Sequence, residues 1–177
     1  MWLEANHAVK TELWVLRYRQ GIAKPCIDYQ ALVEQCLCFG WIDSVIKKRD
    51  EECTVQRVSP RRKKGSFLSE LNRQRVWKLD RLGRMTEAGW IPIRDQVGSP
   101  DAPVEIPGWI ETELKHDPEV WTTFASFPRF YRRLKIGWIT EARGARRRPE
   151  AEKRLAYPIK MTAQGRQYGE QPLIDWE

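Results

Sequence analysis

Between Asp28 and Ser59 the chain changes its hydrophobic period with little room for a connecting loop, and this stretch limits the possible folds more than any other. Asp28 stands where a helix N-cap belongs. Tyr29, Leu32, Val33, Cys36 and Leu37 follow at the i, i+3, i+4, i+7, i+8 spacing of one apolar helix face. Gly40 is placed to end that helix. Trp41 to Arg49 and Cys53 to Ser59 are β-type runs parted by Asp50, Glu51 and Glu52, a charged loop of hairpin length. Glu12 to Arg19 is a third such run, set between a short helix ending near Ala8 and the break from Gly21 to Pro25. The expectation is an α+β fold in which helices pack a small three-stranded antiparallel sheet.

From Ser66 onward the period is helical. Leu68, Leu71, Arg75, Leu79 and Leu82 recur at helix intervals up to Gly83, and Thr86 is placed to cap a further helix through Trp90 and Ile93 that Pro92 enters or kinks. Three prolines, Pro100, Pro103 and Pro107, make residues 98–107 read as an extended linker that closes a core domain over 1–97. Pro107 to Lys115, Pro118 to Phe127 and Pro128 to Ala142 each begin with proline in a first helical turn, so 108–165 reads as a helical C-terminal module and 166–177 as a tail.

Composition narrows the function classes. The 177 residues carry 31 Lys plus Arg against 24 Asp plus Glu, a net charge of +7, with enough apolar material for a true core. No apolar run approaches the roughly 18 to 20 residues of a membrane-spanning helix. The N-terminus shows neither a basic leader nor an apolar h-region, so a cytoplasmic location is expected. Cys26, Cys36, Cys38 and Cys53 form no Cys-x-x-Cys pair, and the four read as small buried hydrophobes rather than zinc ligands. His7 and His116 have no Ser or Cys nucleophile context, and neither a Gly-x-Ser-x-Gly elbow nor a P-loop occurs. No metal or cofactor is implied, and enzymatic activity is disfavoured.

Three constellations stand out. With the hairpin loop at 50–52, Lys47 faces Val55, Val45 faces Arg57, and Asp43 shares a sheet face with Lys47 and Arg57. A carboxylate held among cations stays ionised and can orient a ligand; the plainer reading is an Asp that accepts local hydrogen bonds at a helix-to-strand junction. Basic runs form the second: Arg57, Arg61, Arg62, Lys63 and Lys64 without an acid, and ten cations in residues 129–154 including Arg143, Arg146, Arg147 and Arg148. Such clusters contact phosphates. On a helical period, however, Phe127, Phe130, Leu134, Trp138 and Ile139 group as a core stripe and leave Arg129, Arg132, Arg133 and Arg143 outside as a solvated face. The nine Trp are the third, and most of them sit in apolar patterns that suit core packing.

The sequence resembles the bacteriocin-protection family, also called YdeI or OmpD-associated proteins. The residues that carry the resemblance are Trp2 to His7, Glu12 to Val15, Gly21 to Pro25, Ala31 to Ser44, Arg57 to Arg62, Asn72 with Arg73, and Gly83 to Gly89. The later run Phe124 to Arg148, with Ile136-Gly-Trp-Ile139, looks like the family's C-terminal helical region. The resemblance spans nearly the whole chain, and Cys38-Phe-Gly-Trp-Ile-Asp43 is its most specific part. Phe67-Leu68-Ser69 departs from the family's usual Trp-Ser before the Asn, and Arg143 to Arg146 interrupts a common Ala-Lys-Arg-Pro-Glu-Thr run. It implies tolerance of antimicrobial peptides and association with an outer-membrane porin, and it brings no catalytic residues. Resemblance and junction geometry together point to a non-enzymatic bacterial stress or antimicrobial-peptide resistance factor that acts by binding, with Asp43, Lys47, Arg57, Arg61 and Asn72 as the polar site. The alternatives are a nucleic-acid binding module using Arg61 to Lys64 and Arg143 to Arg148, or an enzyme on a small anionic substrate centred on Asp43 and Arg57. The partner is thus an anionic ligand, a nucleic acid or a protein.

Overall fold

A computed structural model of the chain describes residues 2–19, 21–62, 66–142 and 148–169. The fold is α+β, and the chain divides into two compact units. The first comprises Met1–Leu68 with Arg75–Gly98, the second Ser69–Gln74 with Ser99–Glu177.

In the first unit the chain runs α1 (Trp2–Asn6), β1 (Leu13–Tyr18), α2 (Tyr29–Cys38), β2 (Trp41–Lys48), β3 (Cys53–Pro60), the later part of α3 (Glu70–Arg81), α4 (Glu87–Trp90) and α5 (Arg94–Val97). The strands form an antiparallel sheet in the order β1-β3-β2. Helix α2 starts where expected: the Asp28 carboxylate accepts from the amides of Gln30 and Ala31, a cap of about 1 kcal/mol. Leu32, Cys36, Trp41, Val58 and Leu3 are buried together, with Leu13, Val15 and Phe39 against them. Each large apolar side chain so buried contributes roughly 1.5 to 3 kcal/mol.

Gly40 ends α2 with φ of 71°, a left-handed conformation that only glycine adopts cheaply. There the helix end meets α4 backbone to backbone. The Thr86 hydroxyl, which caps α4 by accepting from the Gly89 amide, donates to the Cys38 carbonyl at 2.6 Å. Helix α4 stops at Trp90, because Pro92 has no amide to continue it, so the helix expected through Ile93 is cut short by a turn at 91–93, and a separate short helix, α5, follows.

The β2–β3 ladder carries a bulge. Trp41, Ile42 and Asp43 pair with Pro60, Ser59 and Val58, whereas Ile46, Lys47 and Lys48 pair with Gln56, Val55 and Thr54. Ser44 and Val45 therefore lie opposite the single residue Arg57. Gln56, fully buried, holds the bulge by donating from Nε2 to the Ser44 carbonyl, and the Ser44 hydroxyl donates to the Arg57 carbonyl.

The second unit holds the start of α3 together with α6 (Gly108–Lys115), α7 (Pro118–Ser126), α8 (Arg129–Thr140) and α9 (Arg148–Thr162). Its core joins Ile110 and Leu114 of α6, Val120 and Phe124 of α7, Ile136 and Ile139 of α8 and Leu155 of α9. Val104 and Ile106, in the proline-rich stretch that reads as linker, pack on that core. Asp117 caps α7 through the amides of Glu119 and Val120, with Pro118 in the first turn. Helix α9 carries Pro158 inside it, and that proline, with the basic run before it, hides the helix from a reading of periodicity.

Glu70, 5% exposed, ties α3 to α8: its carboxylate accepts from Arg133 Nε at 3.1 Å and from Arg73 at 2.8 Å. Arg133 Nη1 also donates to the carbonyls of Ser99, Pro100 and Ala102. Arg133 is thus a structural cation, not a member of a solvated face. Among the described residues no helix is long and apolar enough to cross a membrane.

Candidate functional site

The bulge decides the chemistry of the sheet. Residues paired directly across an antiparallel ladder share a face. Lys47 does face Val55, and Arg57 pairs with Trp14 of β1, so these sit on the side of the sheet away from α2. The Lys47 ammonium rests 4.9 Å from the centre of the Trp14 ring. Asp43, however, pairs with Val58, a core residue packed beneath α2. The expected common face of Asp43 with Lys47 and Arg57 does not form, because one inserted residue reverses the alternation between them.

Asp43 instead meets α2. It accepts a 2.9 Å hydrogen bond from the hydroxyl of Tyr29, the first residue of that helix. Burial raises the Tyr29 pKa, and the Asp43 carboxylate, which the phenol serves as donor, raises it further. Arg17 stacks its guanidinium 4.9 Å from the Tyr29 ring centre. Tyr29 reads in the sequence only as a member of the α2 stripe; the sign of a second role is its place in the first turn, at the edge of that stripe.

Arg61 follows β3 and is only 6% exposed. Its Nη1 donates to the Ser66 hydroxyl at 3.0 Å and to the Phe67 carbonyl at 3.1 Å, while its Nε has no partner among the described residues. Burial lowers the pKa of its guanidinium and nearby Asp43 raises it in part. Arg61 therefore belongs to no surface patch, whereas Arg62 beside it is exposed. Lys63, Lys64, Arg143, Arg146 and Arg147, and the side chain of Arg148, lie outside the described residues. Asn72 belongs to the second unit, where its amide donates to the Ser69 hydroxyl.

A cavity of about 640 Å³ in the first unit brings Asp43, Ser44 and Arg57 together with Arg62, and its wall includes Ser66 and Phe67, the two residues that Arg61 fixes. Arg57 gives its Nε to Glu12 at 2.7 Å across β1. Thr11 and Ser59 add hydroxyls that composition and spacing gave no reason to single out. Cys36 sits under the same sheet, and burial pushes its thiol up to about 12, so it is an inert packing group.

A second cavity, about 480 Å³, belongs to the second unit. It is mostly apolar, with walls that include Leu71, Leu134, Trp138, Tyr157 and Tyr168. Lys135, only 4% exposed, lines it with its ammonium 4.7 Å and 4.6 Å from the Tyr131 and Tyr168 ring centres. The expected α8 stripe is correct for Phe130, Leu134 and Ile139, but Trp138 is 39% exposed and Lys135 is buried in its stead. The α8 helix turns one aromatic outward and one cation inward.

Comparisons with known proteins divide the chain in a similar place. Residues 1–91 match the family model described as domain of unknown function (DUF8412), and residues 103–165 match that of bacteriocin-protection, YdeI or OmpD-associated proteins. No curated protein and no solved structure matches the chain. The resemblance read from the sequence thus holds for the second segment, while the Cys38 to Asp43 motif falls within the first match. By the extent of the first match, which covers over half of its residues, and with the bacteriocin-protection match confined to residues 103–165, the chain belongs to the family of the domain of unknown function DUF8412.

Proposed function

We propose that this protein is a non-enzymatic bacterial resistance factor that acts in the cytoplasm, by binding, to lessen damage from bacteriocins or other antimicrobial peptides. The observation that supports the reading is the family match over residues 103–165. That segment contributes Leu134, Lys135, Trp138 and Tyr157 to the apolar cavity of the second unit. A protein at +7 does not attract cationic peptides by net charge, so the grip must come from apolar contact in a shaped site. Cavities of this size and lining hold apolar side chains well, with a few polar groups for orientation.

The test is genetic. Removing the gene from its host should steepen the killing curves of a bacteriocin panel, and the intact gene should restore them. A gene carrying Trp138→Ala with Tyr157→Ala should not restore them, although the encoded protein accumulates normally. Killing curves that do not change on deletion sink the proposal.

A further inference from the structure

The polar cavity of the first unit has a donor set that its own fold does not consume. Arg57 spends Nε on Glu12, which leaves its two terminal nitrogens uncommitted among the described residues. Arg62 has no partner among them and is exposed at the cavity wall. Thr11 and Ser59 bring hydroxyls whose hydrogen bonds are likewise unspent. Behind the wall stands Arg61, more than nine-tenths buried, with an unsatisfied Nε. A buried guanidinium with an unmet N–H costs stability and is retained where its charge or its positioning is used. Arg61 supplies both, since it fixes Ser66 and Phe67 of the wall and adds positive potential that solvent does not screen.

Acceptors are fewer. Asp43 lines the cavity, but its carboxylate accepts from Tyr29 on the α2 side of the sheet, away from the Arg57 side chain. The arrangement of guanidinium forks and hydroxyls complements a ligand with an oxyanion at one end and hydroxyl groups along its body. The volume, about 640 Å³, exceeds what an inorganic anion fills and lies in the range of small-molecule sites.

We propose that the cavity lined by Arg57, Ser59 and Arg62 is a binding site for a small hydroxylated oxyanion. Arg57 and Arg62 grip the phosphate or carboxylate group, and Ser59 with Thr11 takes the hydroxyls. Arg61 is a positioning residue that does not touch the ligand. The site lies in the first unit and does not depend on the resistance reading, which draws on residues of the second.

Isothermal titration calorimetry on the full chain at low ionic strength tests this, with four probes: glucose 6-phosphate, gluconate, sorbitol and inorganic phosphate. Glucose 6-phosphate or gluconate should bind saturably, and whichever binds more tightly identifies the end group as phosphate or carboxylate. Inorganic phosphate alone should bind more weakly, and sorbitol should give no saturable heat. Arg57→Gln and Arg62→Gln should each weaken the preferred probe about tenfold or more, the usual scale of a lost charge-assisted hydrogen bond. Arg94→Gln, at an exposed arginine paired with Glu87 on α4, should change nothing. The proposal is overturned if neither anionic probe binds, if sorbitol binds equally well, or if the Arg57→Gln/Arg62→Gln double variant retains full affinity. Any of these results leaves the killing-curve test untouched, so the two readings fail separately.

Discussion

Gly89 offers a direct test of the contact that joins α2 to α4. On propensity alone, Gly89→Ala inside a helix should stabilise the protein by about 0.5 to 1 kcal/mol. The geometry opposes that gain. A Cβ at position 89 would lie 2.7 Å from the Leu37 carbonyl oxygen and 2.8 Å from the Cys38 carbonyl carbon, and nearer still to the Cys38 oxygen. All three are backbone atoms at the end of a helix and cannot rotate away. Relief needs a separation on the order of 1 Å, which breaks the bonds from the Thr86 hydroxyl and the Thr86 amide to the Cys38 carbonyl. Two hydrogen bonds at about 1 kcal/mol each, plus overpacking strain of about 1 to 3 kcal/mol, outweigh the propensity gain. The expected net destabilisation is about 2 to 4.5 kcal/mol. Urea unfolding followed by far-UV circular dichroism reads it as a midpoint lowered by about 1 to 2 M, given a slope near the middle of the usual range of about 1 to 3 kcal/mol/M. Gly108→Ala is the internal control, because a Cβ there meets nothing within 4 Å and propensity alone should act. A Gly89→Ala midpoint equal to or above that of the parent refutes the close approach.

Three further outcomes follow from two buried groups. With its thiol pushed up to about 12 by burial, Cys36 should resist alkylation at pH 8 while exposed Cys26 is labelled, as peptide mass spectrometry would show. The same shift has a sign for stability. The unfolded chain releases this proton from about pH 9, the folded chain only near 12, so stability should fall across that window, and Cys36→Ala should flatten the slope in urea midpoints taken between those pH values. Glu70→Ala should destabilise the protein by about 3 to 5 kcal/mol, since it strands the Arg133 side chain, 11% exposed, without its carboxylate; a midpoint close to the parent's would show that the three backbone carbonyls suffice for Arg133.

Much of the architecture is legible in the residue pattern, because each element carries its own local signal. Asp28 and Gly40 bracket α2, Asp117 with Pro118 starts α7, and the charged triplet 50–52 sets the hairpin so that Lys47 meets Val55. These are short-range rules, and tertiary packing agrees with them. What escapes is set by distant partners. Lys135 is buried because Tyr131 and Tyr168 surround its ammonium, and no period of α8 announces that. Arg61 lies in a basic run that looks like surface, yet Ser66 and Phe67 draw it inward. The polar site was legible in Asp43 and Arg57 as types of residue, but not in their arrangement: the bulge at Ser44 and Val45 depends on Gln56, whose buried amide has no sequence signature.

That bulge gives the two ends of the hairpin different tolerances to change in length. Residues added at the 49–52 turn lengthen a loop and leave every pairing upstream intact. Loss of one residue at 44–45 leaves three steps between Asp43 and Lys47, so a regular ladder keeps Asp43 toward Tyr29 and Lys47 toward Trp14 and only the bulge is lost. Regular pairing at the present residue count would instead turn one half of β2 over and bring the two side chains to one face. The bulge, rather than the identity of Val45, keeps Asp43 and Lys47 on opposite sides of the sheet.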